Sequence, residues 1–218
     1  MDSATRGLFI VLLGIDGSGK TSLLSALRGG TFATVGWRDL RNHELPAVMA
    51  PDAPSAIKDR LSDMPRAMFI GGHIVAQYEY LVRPEVVEGR NVLLDSYWYK
   101  VLAKERALGR LSPALDELRQ LLPVPDAVVL LDVDPRTAWA RRGGTCAPYE
   151  RFDDPGGQAA GFVRFQECML AQWETDLRGH PAVYRLDGER PFDEVLMSLR
   201  DTLELCAVPR LPELEALS

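Results

Sequence analysis

The sequence predicts an α/β fold, a three-layer sandwich in which a parallel sheet carries helices on both faces. Two observations predict it. Strand-like and helix-like segments alternate along the chain. The strand-like segments are apolar throughout rather than at every second residue, as strands buried on both sides must be. A glycine-rich loop directly after the first strand adds a place for function, because ligands of such sheets gather at the carboxyl ends of strands.

Taken in order, Leu8–Leu13 is an apolar run of six residues that meets Gly14 and reads as a buried strand. Lys20 to Arg28 reads as a helix stopped by Gly29-Gly30. Thr31–Trp37, β-branched and aromatic, is a second strand. Residues 38–65 are rich in proline and charge, with one short helix around Ser55–Leu61. From Arg66 to Val87 the apolar residues Met68, Phe69, Val75, Tyr78, Leu81 and Val82 recur at helical spacing. Asn91–Leu94 is a third strand ending at Asp95. Val101–Leu108 and Pro113–Leu122 are helical. Ala127–Val133 is a fourth strand, and Asp132 and Asp134 shape the turn and cap the helix that Pro135 opens and Gly143-Gly144 stops. A loop to about Gly157 leads into a long helix to Leu177. Ala182–Leu186 is the last strand and Pro191–Leu205 the last helix. There is no internal repeat. The 218 residues suit one domain, taken as 1–218 with a mobile lid around 141–157.

Composition narrows the class. A net charge of −6 argues against a nucleic-acid binder, and the longest apolar run is far shorter than a membrane span. The opening MDSATRG has no apolar signal core. Cys146, Cys168 and Cys206 are widely spaced, form no CxxC pair, and read as reduced thiols of a cytoplasmic protein.

The segment Gly14-Ile15-Asp16-Gly17-Ser18-Gly19-Lys20-Thr21 fits GxxxxGK[ST], a P-loop, and it stands between a strand and a helix as that motif requires. Its glycines let the backbone curl so that N–H groups point at phosphate oxygens, and the helix adds its positive end. Gly14, Asp16, Gly17, Ser18, Gly19, Lys20, Thr21 and Ser22 form the cofactor-binding set for ATP. Lys20 neutralises the β- and γ-phosphates and the Thr21 hydroxyl holds Mg²⁺. The fold class is therefore the P-loop NTPase type. A GTPase would need an NKxD-type guanine reader, which is absent, and the formal DxxG at Asp154–Gly157 follows no strand. A large motor or transporter ATPase would need more chain. A small protein with this cradle, an acidic strand end in mid-chain and a later arginine-rich loop points to a nucleotide kinase.

On these residues the sequence resembles the thymidylate kinase family of nucleoside monophosphate kinases over nearly its whole length. The matching segments are Phe9-Ile10 with the P-loop, Arg66-Ala67-Met68-Phe69 with the helix after it, Gly89 to Tyr97, Pro125 to Pro135, and Arg141 to Asp153 at the lid. The resemblance implies a five-stranded parallel sheet, a homodimer, ATP and Mg²⁺ as cofactors, and phosphorylation of dTMP. It also marks departures. The family's Asp-Arg-Tyr reads Asp95-Ser96-Tyr97, so a phosphate-clamping arginine is lost. Phe69 matches the aromatic residue that stacks on thymine, but the arginine that reads thymine is replaced by His73. The glutamate before the P-loop becomes Leu13. The acceptor-side Arg-Glu-Pro-Gly appears as Trp37-Arg38-Asp39-Leu40. The changes collect on the acceptor side, so the expected acceptor is a nucleotide or nucleoside-like molecule other than dTMP.

Several residues carry two readings. Asp95 ends a strand and either coordinates Mg²⁺ or is a solvated acid. Asp16 places charge next to ATP, where it touches Mg²⁺, accepts a hydrogen bond from the acceptor's sugar, or only stabilises the turn. Arg142 and Arg151 flank the lid and either swing onto the transferring phosphoryl group or sit at helix ends, while Arg141 reads as surface charge. Family members with a plain glycine in the P-loop carry their catalytic arginine in the lid, and Gly17 fits that pattern. Arg38 is a candidate for the acceptor phosphate. Phe69, His73 and Gln77 lie one turn apart on one helix face, lining the acceptor pocket or the core. Ser96, Tyr97 and Tyr99 are further pocket candidates. His43 and His180 read as surface residues. The leading function is ATP- and Mg²⁺-dependent phosphoryl transfer to a nucleoside monophosphate. A kinase of an unphosphorylated nucleoside or small alcohol and a non-catalytic nucleotide-binding regulator stay open beside it.

Overall fold

The protein is described from a computed structural model over residues 6–36, 39–42 and 61–208. Trp37, Arg38, His43 and most of the short helix expected around Ser55–Leu61 lie outside the described residues. Five strands, β1 (Phe9–Leu13), β2 (Phe32–Val35), β3 (Asn91–Asp95), β4 (Ala127–Asp132) and β5 (Val183–Asp187), form one sheet in the order β2-β3-β1-β4-β5. Every pairing is parallel. β1 sits in the middle and is buried at all positions, which is why its run is apolar without alternation.

The helices are α1 (Lys20–Leu27), α2 (Asp63–Gln77), α3 (Arg83–Val87), α4 (Tyr97–Ala107), α5 (Pro113–Leu121), α6 (Pro135–Arg141), α7 (Gly157–Asp176) and α8 (Phe192–Ala207). The chain leaves β1 toward the β2 edge and leaves β3 toward the β4 side. With right-handed crossovers these two connections fall on opposite faces and part between the carboxyl ends of β1 and β3, the crevice where such sheets bind ligands. The packing agrees: α2, α4, α5 and α7 pack on one another, whereas α1 packs on β2 and β3 and α8 on β5. The core runs through the sheet and includes Phe162, Phe165, Met169 and Trp173 of α7.

The expected alternation of elements matches the observed one, with three differences. The single helix expected over 66–87 is divided by a wide turn at Tyr78–Val82. Pro84 has no N–H to offer the carbonyl of Tyr80, so the ordinary ladder cannot run through. α4 begins at Tyr97, not Val101: Tyr97 enters with a positive φ, and Trp98 and Tyr99 after it are buried, their rings stacked at 3.9 Å. His180 is no free surface residue. Its Nδ1 accepts from the Ala182 N–H at 3.2 Å and its Nε2 lies 3.1 Å from the Pro125 carbonyl, tying the entry of β5 to that of β4. Asp134 caps α6 as expected, its side chain accepting from the Arg136 N–H at 2.7 Å. Among the described residues no helix is long and apolar enough to cross a membrane.

Candidate active site

The loop between β1 and α1 curls because Gly17 and Gly19 take φ values of 85° and 100°, a region that side chains disfavour. Gly17 has a second reason to be glycine. A Cβ there would lie 2.6 Å from the Ala138 carbonyl and 3.0 Å from the Cγ and Cδ of Arg142. The stem of Arg142 thus lies directly against the loop. Lys20 is buried and donates to the carbonyls of Gly14 (2.6 Å) and Ile15 (3.0 Å) and to Ser18 Oγ (3.3 Å). Burial lowers the Lys20 ammonium to about 7, and neighbouring Lys100 pushes the same way against Asp95 and Asp16. Thr21 and Ser22 stand exposed in the first turn of α1.

Asp95 is paired in register with Leu12, the residue before the last of β1, so the acid stands beside the loop's entry. Ser96 follows in a strained conformation, φ 66°, and Tyr97 also has positive φ, 49°. Two such residues in succession, neither a glycine, are costly and tend to occur at functional sites. The Ser96 hydroxyl donates to the Asp95 carboxylate, and its N–H donates to the Leu12 carbonyl at 3.0 Å. Tyr97 and Tyr99 are both buried, and the Tyr97 ring meets Phe9 edge-on.

Asp16 is where the geometry goes furthest beyond the sequence. The carboxylate is buried and gripped by two lysines of α4, Lys100 Nζ at 2.7 Å and Lys104 Nζ at 2.9 Å. Burial alone would raise it; Lys100, Lys104 and Lys20 hold it well below the usual carboxylate range. Gln166 of α7 accepts from the Asp16 N–H at 3.2 Å. Its amide also donates to the Glu150 carbonyl at 3.3 Å. Glu150, buried in the lid segment, accepts from Arg142 Nη2 at 2.7 Å and has Lys104 at 3.9 Å. Loop, α4, lid and α7 therefore meet in one charged cluster. Arg142 belongs to it. Arg151 instead pairs with exposed Asp153 at 3.4 Å, and Arg141 bonds the Gly188 carbonyl at 2.9 Å.

On the acceptor side, His73 and Gln77 are buried on α2 and Phe69 is half-buried, in line on one face. Gln77 Nε2 donates to the Gly36 carbonyl at 3.2 Å, bringing this face to the carboxyl end of β2, just before Arg38. Reading the sequence missed Lys100, Lys104, Glu150 and Gln166. A lysine pair spaced by four just after the acidic end of β3 was the available signal.

No family model matches the chain. Curated relatives do. The thymidylate kinase of Xanthomonas euvesicatoria pv. vesicatoria is 32% identical over 215 residues, covering 94% of this chain and 87% of its own. The probable thymidylate kinase of Pyrobaculum aerophilum is 29% identical over 212 residues, 90% and 96% of the two chains. The thymidylate kinase of Akkermansia muciniphila is 28% identical over 213 residues, 92% and 93%. Together with a P-loop at the centre of a five-stranded parallel sheet, these likenesses define the class: an ATP-dependent phosphotransferase of the nucleoside monophosphate kinase type. Within that class the chain belongs to the thymidylate kinase family, as a divergent member.

Proposed function

We propose that the protein moves the γ-phosphoryl group of ATP to a nucleoside monophosphate that differs from dTMP. The observation that carries the reading is the contrast between a complete donor cradle and an acceptor side where buried Ser96 and His73 occupy positions the family fills with arginine. The chain acts as one domain, with residues 141–157 as its lid and two copies associating as the family likeness implies.

The residues fit Mg²⁺. The Thr21 hydroxyl, exposed in the first turn of α1, and the Asp95 carboxylate, beside the entry of the phosphate loop, are hard oxygen donors of the kind this cation takes together with phosphate and water, and they would hold it. When bound, Mg²⁺ would offset charge on the β- and γ-phosphates. Backbone N–H groups of residues 17–22 hold the β-phosphate and Lys20 neutralises the oxygens beside it. Arg142, laid against Gly17, faces the transferring group from the lid side and helps keep water out. Arg38, Phe69, His73, Gln77, Ser96 and Tyr97 surround the acceptor. An oxygen of the acceptor phosphate forms the new P–O bond while the bond from the γ-phosphorus to the bridging oxygen breaks. ADP leaves with that electron pair. The acceptor phosphate is already largely ionised at neutral pH, its second pKa being about 6, so no general base is needed.

Steady-state turnover with ATP and a panel of acceptors tests this. Transfer to a modified or non-thymine monophosphate at a kcat/KM well above that for dTMP supports the reading. Efficient dTMP turnover sinks the altered specificity. Transfer only to unphosphorylated nucleosides or alcohols moves the acceptor class, and ATP binding without transfer to any acceptor reassigns the protein as a regulator.

A further inference from the structure

Loss of the strand-end arginine leaves the site short of a cation where one is needed, and the structure holds a cation in excess nearby. Ser96 directly precedes α4, and Lys100, in the first turns of that helix, has Asp95, the residue before Ser96, among its electrostatic neighbours. The Lys100 ammonium is 2.7 Å from Asp16, inside the phosphate loop, and that of Lys104 is 2.9 Å from the other oxygen of the same carboxylate. One carboxylate requires one cation. Here it has two, with Lys20 a third close by; with Asp95 and Glu150 counted too, three carboxylates face four cations, Lys20, Lys100, Lys104 and Arg142. Glu150 does not restore the balance, because Arg142 already pairs with it at 2.7 Å. Lys104 is further tied to the lid, 3.9 Å from Glu150 and 5.0 Å from the ring centre of Tyr149. Among the described residues Lys100 makes its ion pair with Asp16 alone, and its electrostatic neighbours include Asp95.

We propose that Lys100 replaces the arginine missing at position 96, carrying its ammonium to the oxygens of the phosphoryl group in transfer, while Lys104 remains on Asp16 as a positioning residue. The inference rests on the phosphoryl-transfer reading above and adds no bond-making step to it. The substitution works because the Lys100 ammonium already lies on Asp16 inside the phosphate loop with Asp95 nearby, and its long flexible stem lets the charge move from that carboxylate to a phosphoryl oxygen. The partial burial of Lys100 makes its charge more effective there than it would be in water. The competing reading is that Lys100 serves only to neutralise buried Asp16.

A double-mutant cycle separates the two. The parent, Lys100→Met, Asp16→Asn and the double variant are compared for kcat, ATP affinity, and affinity for ADP with Mg²⁺ and aluminium fluoride, a mimic of the phosphoryl group in transfer. Lys100→Met is expected to lower kcat about 100-fold, the usual loss for a transition-state donor, while ATP affinity changes little. The same loss is expected in the Asp16→Asn background, with the fluoride-dependent gain in ADP affinity falling in parallel. Lys100→Arg should keep most of the activity, and Ser96→Arg should restore at least tenfold in the Lys100→Met protein. The inference is overturned if the loss vanishes in the Asp16→Asn background, if Lys104→Met reproduces it in full, or if the parent shows no fluoride-dependent gain. The fluoride measurement needs no acceptor, so an error in the assigned acceptor would empty the kcat comparison and leave this one readable. Thermal unfolding of each variant identifies any that fail to fold, and Lys100→Arg with the Ser96→Arg rescue then carries the test.

Discussion

With its ammonium against the carbonyls of Gly14 and Ile15, Lys20 titrates at about 7, lowered first by burial. An unfolded lysine holds its proton to about 10.4. Between those values the unfolded chain binds a proton that the folded chain releases, so this group makes stability rise with pH across the window and costs most below it. Nucleotide binding has the opposite sign, since polyphosphate favours the charged amine. Affinity for metal-free ATP should be highest between the terminal phosphate's pKa of about 6 and the amine's of about 7, and fall above that, by up to about tenfold per pH unit. At pH 8 the terminal phosphate, with a pKa of about 6, is already ionised. Calorimetry in two buffers of different ionisation enthalpy should therefore read uptake approaching one proton per ATP at pH 8, and at pH 6 no net uptake or a net release, as the half-protonated phosphate gives up its proton. Equal uptake at both would assign the proton to another group. Gly17 makes a second residue-scale prediction. A methyl group there meets backbone at Ala138 and the stem of Arg142, on a backbone with φ 85°. Gly17→Ala should cost about 1–3 kcal/mol of stability and lower kcat by displacing Arg142. Thermal unfolding and steady-state kinetics check both.

At the scale of elements, the lid segment offers three arginines that the sequence could not rank. Their partners rank them. Arg142 packs on the phosphate loop and pairs with buried Glu150, Arg151 pairs with an exposed acid, and Arg141 holds the Gly188 carbonyl at the end of β5. Arg142→Ala should lower kcat about 100-fold, Arg151→Ala far less, and Arg141→Ala should act on stability alone. Side-by-side kcat and thermal unfolding for the three variants decide it; a larger kcat loss for Arg151→Ala would reverse the ranking. The phosphate loop, the capping Asp134 and the apolar run of β1 were legible in the sequence because each is a local pattern whose geometry depends on a few adjacent residues. The grip of Lys100 and Lys104 on Asp16 was not. It joins residues 84 and 88 positions apart, and only the order of strands β1 and β3 brings them together. The start of α4 was hidden for a related reason, since aromatic residues have no strong helical preference and Trp98 and Tyr99 join the helix through burial.

For the molecule as a whole, the layer of helices over one sheet face sets where the lysines of α4 stand, and Arg106 is its central tie. From α4 it reaches Asp176 at the end of α7 at 3.0 Å and Asp116 of α5 at 2.6 Å. The Asp176 side chain is only 4% exposed, with Arg106 its charged partner and Gln172 a neutral donor at 3.3 Å. Removing one member of a buried pair leaves a charge without compensation, at a typical cost of about 3–5 kcal/mol. Replacing both by apolar residues of similar size avoids that cost. Arg106→Met should therefore lower stability by about 3 kcal/mol, and Arg106→Met with Asp176→Leu should recover most of it. For a chain of this length each kcal/mol corresponds to about 2–4 °C in the unfolding midpoint, so the contrast is readable by thermal unfolding. Activity need not follow stability. α7 also supplies Trp173, whose Nε1 donates to the Tyr99 carbonyl at 3.0 Å, and Gln166, which holds the Asp16 N–H. The first bond holds α4 against α7 and the second holds the phosphate loop against α7, both independently of Arg106. The double variant should then regain kcat together with stability; stability regained without kcat would mean that the charged tie, rather than the packing, sets the position of Lys100.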